Sequence, residues 1–358
     1  MERYLLPLVI LLLMCGCAQK PSENANDTAT TIQTVKETTA SSEPPTTLII
    51  TTTRLTTTTH ATSRPTTSAA PTTTTPPIPN VEKNKWVIED GIRLEDAFSP
   101  AVIKLDSGIY RMFASAKDGI NAYASPDGLK YVLEKKKILT EGYAPRVYKI
   151  RDNRYLMVYN NAEVLAGTGD RKKLYYKSAS SSAGLNYFAD MEIHLANQIL
   201  RSPVLISSPE IINMANNTLR MYYTGDLFAP EIGNTNKKIK SAISLDKGNT
   251  WMREDGTRIN AEALDPCVVA LQAGGYRMYY SAYDSVDSDE TMSIYSAHSL
   301  DGLNYTLEGK ALPAEKGIRY MDPRVIGING GYRMYYTEVT GPIENETTVI
   351  KSAVYITG

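Results

Sequence analysis

The sequence predicts an all-β fold, a five-bladed β-propeller, on three observations. One unit, an X-Pro step running into a short apolar strand, a turn and a strand resembling Tyr-Arg-Met-Tyr-Tyr, occurs five times. Its prolines recur at roughly 45 to 65 residues, the period of propeller blades rather than of helical solenoids. Turn-forming residues separate the strands at the same places in each copy.

Strand A of each blade follows Ser99-Pro100, Ala144-Pro145, Ser208-Pro209, Asp265-Pro266 or Asp322-Pro323. Two apolar residues in succession come next: Val102-Ile103, Val147-Tyr148, Ile211-Ile212, Val268-Val269 and Val325-Ile326. Successive strand side chains point to opposite faces, so such a pair marks an inner strand covered on both sides. Turns at Asp106-Ser107-Gly108, Arg151-Asp152-Asn153, Asn216-Asn217, Ala273-Gly274-Gly275 and Asn329-Gly330-Gly331 lead into strand B. That strand reads Tyr110-Arg111-Met112-Phe113 in the first blade and Tyr332-Arg333-Met334-Tyr335-Tyr336 in the last. Strand C follows, and in four blades a turn such as Asp127-Gly128 or Asp301-Gly302 opens strand D. The fifth blade runs out at Gly358. Ahead of the first strand A, however, Trp86-Val87-Ile88-Glu89-Asp90-Gly91 reads like the strand D sequence Trp251-Met252-Arg253-Glu254-Asp255-Gly256. This N-terminal strand is expected to complete the last blade and remove the open edges of the ring.

The chain before the propeller divides in two. Residues 1–16 carry Arg3 and an apolar run from Leu5 to Met14, too short for a membrane span and suited to a signal peptide. Met14-Cys15-Gly16-Cys17 resembles a lipoprotein signal-peptidase box, which makes Cys17 the expected lipidation site; ordinary cleavage and an uncleaved anchor are the alternatives. Residues 17–80 are rich in Thr, Ser and Pro and carry too little apolar surface to fold, so they form an expected disordered stalk, glycosylated or bare. At about 3.1 Å per residue its stretched length approaches about 200 Å. Residues 81–358 are the expected propeller, exported, held at the cell surface by its lipid anchor, and monomeric.

Charge and side-chain inventory narrow the partners. With 38 basic and 39 acidic residues and no basic run, there is no electrostatic case for nucleic acid. Cys267 is the only cysteine of the propeller region and reads as a packed small side chain. His194 and His298 form no metal-ligand pair, and no nucleophile motif or phosphate loop stands beside them. Asn216-Asn217-Thr218, Asn304-Tyr305-Thr306 and Asn345-Glu346-Thr347 are glycosylation sequons.

These blades, with Asp-Pro or similar steps opening strand A, Gly-Tyr-Arg-Met-Tyr-Tyr strands and Ser-x-Asp-Gly turns, resemble the five-bladed propellers of the arabinanase, levansucrase and invertase glycoside hydrolases from Trp86 to Gly358. Ser244-Leu245-Asp246-Lys247-Gly248-Asn249-Thr250-Trp251 also matches the sialidase-type Asp box, and Ser125–Gly128 and Ser299–Gly302 are weaker copies. An Asp box on a C-to-D turn is expected to bond turn amides and pack its Trp between blades, a structural role. The functional face should be the opposite one, where strand A starts and the B-to-C loops lie.

Glycosidases need one protonated and one ionised carboxyl group. The resemblance implies an Asp base, an Asp that adjusts the acid, and a Glu acid at the starts of strand A in the first three blades. The matching positions here are Ser99, Ala144 and Ser207 or Ser208, none of which can do that chemistry. Whether the protein is an enzyme is therefore open. Period-2 geometry nevertheless offers Arg146, Glu210, Asp265, Asp322 and Arg324 to the axis. Glu210, Asp265 and Asp322 are the candidate catalytic carboxylates, with Arg146 and Arg324 as candidate ligand-binding groups; a structural ion-pair ring is the competing reading. Tyr143 and Tyr320, just before strand A, are candidates for stacking on a sugar ring. The acidic loop containing Asp284, Asp287 and Asp289 is a candidate Ca²⁺ site against plain solvation, and no other cofactor is expected. Carbohydrate is the expected ligand class, whether the propeller hydrolyses it or only recognises glycan or protein.

Overall fold

The computed structural model describes residues 86–358 except 140–141, 152–153, 165–171, 182–184, 186–187, 193–194, 197–206, 215–217, 226–236, 249, 272–273, 286–290, 343–344 and 357–358. The expected signal peptide, Cys17 and the stalk lie outside the described residues, as do His194, Asp287 and Asp289. The described chain is all-β.

Two short strands come first, β1 (Val87–Ile88) and β2 (Leu94–Glu95). Unit one is β3 (Phe98–Lys104), β4 (Tyr110–Ala116), β5 (Gly119–Ser125) and β6 (Val132–Leu139), antiparallel throughout. Unit two repeats it with β7 (Gly142–Arg151), β8 (Arg154–Val164), β9 (Lys172–Ser181) and β10 (Phe188–Glu192). After β11 (Leu195–Ala196), unit three consists of β12 (Ser207–Asn213), β13 (Leu219–Gly225), β14 (Lys238–Ser244) and β15 (Trp251–Glu254), with β11 added in parallel along β15. Unit four is β16 (Leu264–Ala270), β17 (Tyr276–Tyr283), β18 (Met292–Ser299) and β19 (Thr306–Leu312). Unit five has three strands of its own, β20 (Arg319–Ile328), β21 (Gly331–Thr340) and β22 (Thr347–Ile356). Its fourth place is taken by β1, Val87 facing Val354 and Ile88 facing Ala353, and by β2 farther along β22.

The first strands of the units pack side by side in a closed circuit: β3 with β7, β7 with β12, β12 with β16, β16 with β20, and β20 with β3. Hydrophobic core accordingly lies between units rather than within them. Ala101 and Phe113 of unit one meet Val147 and Met157 of unit two; Tyr222 of unit three meets Val268 and Met278 of unit four; Tyr335 of unit five meets Val102 and Met112 of unit one. This is why strands A and B are apolar on both faces. Burying each such side chain contributes about 1.5 to 3 kcal/mol.

Polar contacts repeat as faithfully. The strand B arginine forms a two-bonded pair with a glutamate on the outer strand: Arg111 with Glu134, Arg220 with Glu254, Arg277 with Glu308, and Arg333 with Glu89. In unit five that glutamate comes from the N-terminal segment, so the pair ties the two ends of the described chain together. Arg220 and Arg333 also donate to carbonyls of the following unit's C-to-D turn, Asp301 and Asp127 respectively. Unit two carries Leu156 in the arginine position, and there Trp251 of unit three, fully buried, packs against Leu156 and Val158.

Candidate functional site

The residue preceding each strand A proline has a left-handed backbone: φ is 52° at Ser99, 49° at Ala144, 51° at Ser208, 54° at Asp265 and 52° at Asp322. The strand pairing slips by a residue at each of these steps, so every unit starts on a β-bulge. Non-glycine residues rarely adopt such φ, and the strain persists only where surrounding contacts impose it. Here those contacts are hydrogen bonds between neighbouring units. Thr337 accepts the Ser99 N–H (2.9 Å), Ser115 that of Ala144 (2.8 Å) and Thr224 that of Asp265 (3.1 Å). At the fourth-to-fifth boundary the pattern changes. Asp265 Oδ2 takes the Asp322 N–H at 3.5 Å, and the equivalent hydroxyl, Ser281, has no hydrogen-bond partner among the described residues.

The bulges bring two sets of side chains together at the axis. Residues before proline form the first: the Ser208 hydroxyl donates to Asp265 Oδ1 (2.6 Å), and the Thr337 hydroxyl donates to Asp322 Oδ2 (3.1 Å). Residues after proline form the second: Arg324 Nη1 donates to Glu210 Oε1 at 2.6 Å, and Arg146 Nε lies 3.5 Å from Glu210 Oε2. Cys267 belongs with this second set, accepting the Val325 N–H (3.3 Å); burial and the Glu210 charge push its thiol up to about 11, which leaves it unreactive. Side-chain exposure is 3% for Arg146 and Glu210 and 18% for Arg324, so Arg324 is where this cluster reaches water. Asp265 and Asp322 are buried. Burial foremost, then the Asp265 charge, pushes the Asp322 carboxyl up to about 7, against the opposing pull of Arg146, Ser99 and Thr337.

All five axial residues named by the sequence thus converge, but not as one carboxylate set. Glu210 is held between two guanidinium groups, while Asp265 and Asp322 face each other through hydroxyl and amide partners. The sequence names Ser99 and Ser208 only as positions unable to do hydrolytic chemistry, and it misses the hydroxyls of Ser115, Thr224 and Thr337, whose signal is the Ser or Thr that closes strand B in four of the five repeats. Tyr143 and Tyr320 lie inside β7 and β20 rather than on loops, because these strands begin ahead of the proline. They are 8% and 4% exposed, and Tyr320 packs on Tyr336 with ring centroids 4.8 Å apart. Asp284 accepts hydrogen bonds from the Tyr295 hydroxyl (3.0 Å) and Lys310 Nζ (2.8 Å). Among the described residues no group of three or more potential ligands is arranged for a metal ion.

On the opposite face, the Ser244–Trp251 turn is internally bonded. Ser244 donates to Asp246, which accepts the Thr250 amide and hydroxyl, and the Trp251 indole donates to the Gly248 carbonyl. Asp127 and Asp301 organise the same turn in units one and four, each accepting two amides.

No protein-family profile matches the chain, and no curated protein matches its sequence. Solved structures do match the fold. A thermostable family-43 glycoside hydrolase superposes with a TM-score of 0.59 at 17% identity, covering 76% of this chain and 96% of its own. The chain has the fold of the glycoside hydrolase propellers. An endo-arabinase from Bacteroides thetaiotaomicron gives 0.53 at 14% identity, covering 77% of this chain and 98% of its own. An enzyme from Xanthomonas citri solved with xylotriose gives 0.50 at 12%, covering 75% and 89%.

Proposed function

We propose that this protein is a five-bladed propeller, exported and tethered at the cell surface through a lipid on Cys17 and a Thr/Ser/Pro-rich stalk, that binds carbohydrate without hydrolysing it. Glycan as the ligand class is supported by fold: the propellers it resembles include one solved with a xylose oligosaccharide. Binding without hydrolysis rests on one observation above all. Ser99, Ala144 and Ser207 stand where the resembling hydrolases carry carboxylates, and Glu210, the acid that follows Pro209, has both oxygens directed at Arg146 and Arg324. A proton donor must be free to give its proton to a leaving group, and a carboxylate engaged by two cations is placed only to accept. Asp265 and Asp322 are buried side by side rather than set across an open cleft.

A glycan array probed with the protein, followed by analysis of released sugar, tests this reading. Binding without turnover is the expected result. Turnover that collapses in Glu210→Gln would make the protein a hydrolase with a displaced acid, and absence of any glycan binding would point instead to a protein ligand.

A further inference from the structure

The axis holds three carboxylates, Glu210, Asp265 and Asp322, against two guanidinium groups, and Glu210 engages both of the latter. Neither Asp265 nor Asp322 forms an ion pair among the described residues, although both are buried. Buried carboxylates without a counter-charge are costly, and two of them side by side more so. We propose that Asp265 and Asp322 form a proton-operated clasp: a proton on Asp322 holds units four and five together at the axis, and its loss to solvent loosens the starts of β16 and β20.

Geometry singles out this boundary. At three other boundaries a serine or threonine hydroxyl at the end of strand B takes the amide of the next left-handed residue. At this one a carboxylate takes it, at the longer distance of 3.5 Å, and Ser281 is displaced. Asp322 Oδ1 and the Ser99 hydroxyl are both buried without a well-formed hydrogen bond. Ser99, Arg146, Ser208 and Thr337 surround the pair, and Glu210, Cys267 and Arg324 form the adjoining set. Ser99 lies on β3, Arg146 on β7, Ser208 and Glu210 on β12, Cys267 on β16, Arg324 on β20 and Thr337 on β21. Of these, Arg146 alone opposes the charge on Asp322 as a cation, and it is shared with Glu210. With the proton present, Asp322 is neutral and has a donor of its own. Without it, a second negative charge is buried near that of Asp265 where the backbone is already strained. The rise of Asp322 to about 7 places the change in the neutral range. This clasp is independent of whether glycan binds.

Amide hydrogen exchange read by mass spectrometry on the full chain between pH 5 and 8.5, corrected for intrinsic rates, tests it. Peptides covering residues 262–268 and 319–325 should lose protection by about tenfold or more with a midpoint near 7, while those of β4 and β5 change little. Asp322→Asn should abolish the midpoint, and Asp265→Asn, which removes the opposing charge, should move it well below 7. Protection independent of pH in the native protein, or a midpoint unchanged in Asp265→Asn, would overturn the proposal. The second variant serves even where the first fails to fold.

Discussion

At the scale of single residues, the same side chain serves opposite electrostatic ends. In the C-to-D turns, Asp127 is drawn down to about 2, chiefly by the Lys130 and Leu129 amides. Its folded state binds protons less readily than the unfolded chain, so the stability it contributes is present above about 4 and is lost as pH falls toward 2. Asp127→Asn should flatten this acid limb in pH-dependent thermal melts and cost about 1 kcal/mol at neutral pH. Asp322 runs the other way. Its carboxyl is raised from 3.8 to about 7, so the folded state holds the proton more tightly, and stability falls as pH rises through that window and then levels off. Chemical denaturation from pH 4 to 8 should show this decline in the native protein and its absence in Asp322→Asn. Ser208→Ala, which leaves Asp265 Oδ1 without its 2.6 Å partner, should cost about 1 to 3 kcal/mol in the same assay.

At the scale of elements, the repeat shows which contacts are exchanged together. Where strand B carries arginine and tyrosine, the next unit's turn offers carbonyls: Tyr222 donates to Gly302 and Tyr335 to Gly128. Where it carries Leu156 and Val158, the next unit offers Trp251. Leu156→Arg should therefore set a cation against the buried Trp251 indole in place of an apolar contact, and lower stability by about 3 kcal/mol or more in urea titrations. The close approach also dictates glycine. A Cβ on Gly128, where φ is +74°, would lie 2.6 Å from Arg333 Nη1 and 2.7 Å from the Tyr335 hydroxyl. Gly128→Ala should cost about 2 kcal/mol or more, whereas Gly108→Ala, with φ +87° but open space around it, should cost about 1. Strand order was legible in the sequence because each element announces itself locally, by apolar pairs, turn glycines and the Tyr-Arg-Met strand. The partners of Glu210 were not. Arg324 lies 114 residues away, and the contact depends on a bulge that alternation of side chains does not foretell. That acids and arginines would meet at the axis could be read; that Glu210 would take both arginines and leave two aspartates to each other could not.

At the scale of the whole molecule, the circuit of first strands makes every unit depend on its neighbours, and β1 supplies the outer strand that unit five lacks. Glu89 bonds Arg333 and accepts the Ser352 hydroxyl (2.6 Å), while its N–H donates to the Ser352 carbonyl (2.9 Å). Glu89→Ala should strip a part-buried arginine of its partner and cost about 3 kcal/mol, read as a lower midpoint in thermal unfolding. A reader of the sequence finds this closure because Trp86–Gly91 repeats Trp251–Gly256 out of order. The same strand has a mechanical meaning. The chain from residue 85 backwards leads straight into Trp86, which packs on Tyr279 and Tyr355, and into β1. Were that segment a tether, as proposed, a pull along it would meet the β1–β22 seam first, where the hydrogen bonds lie perpendicular to the strands. Parting that seam would bare the stretch of β22 that β1 covers, an open edge able to pair with another chain.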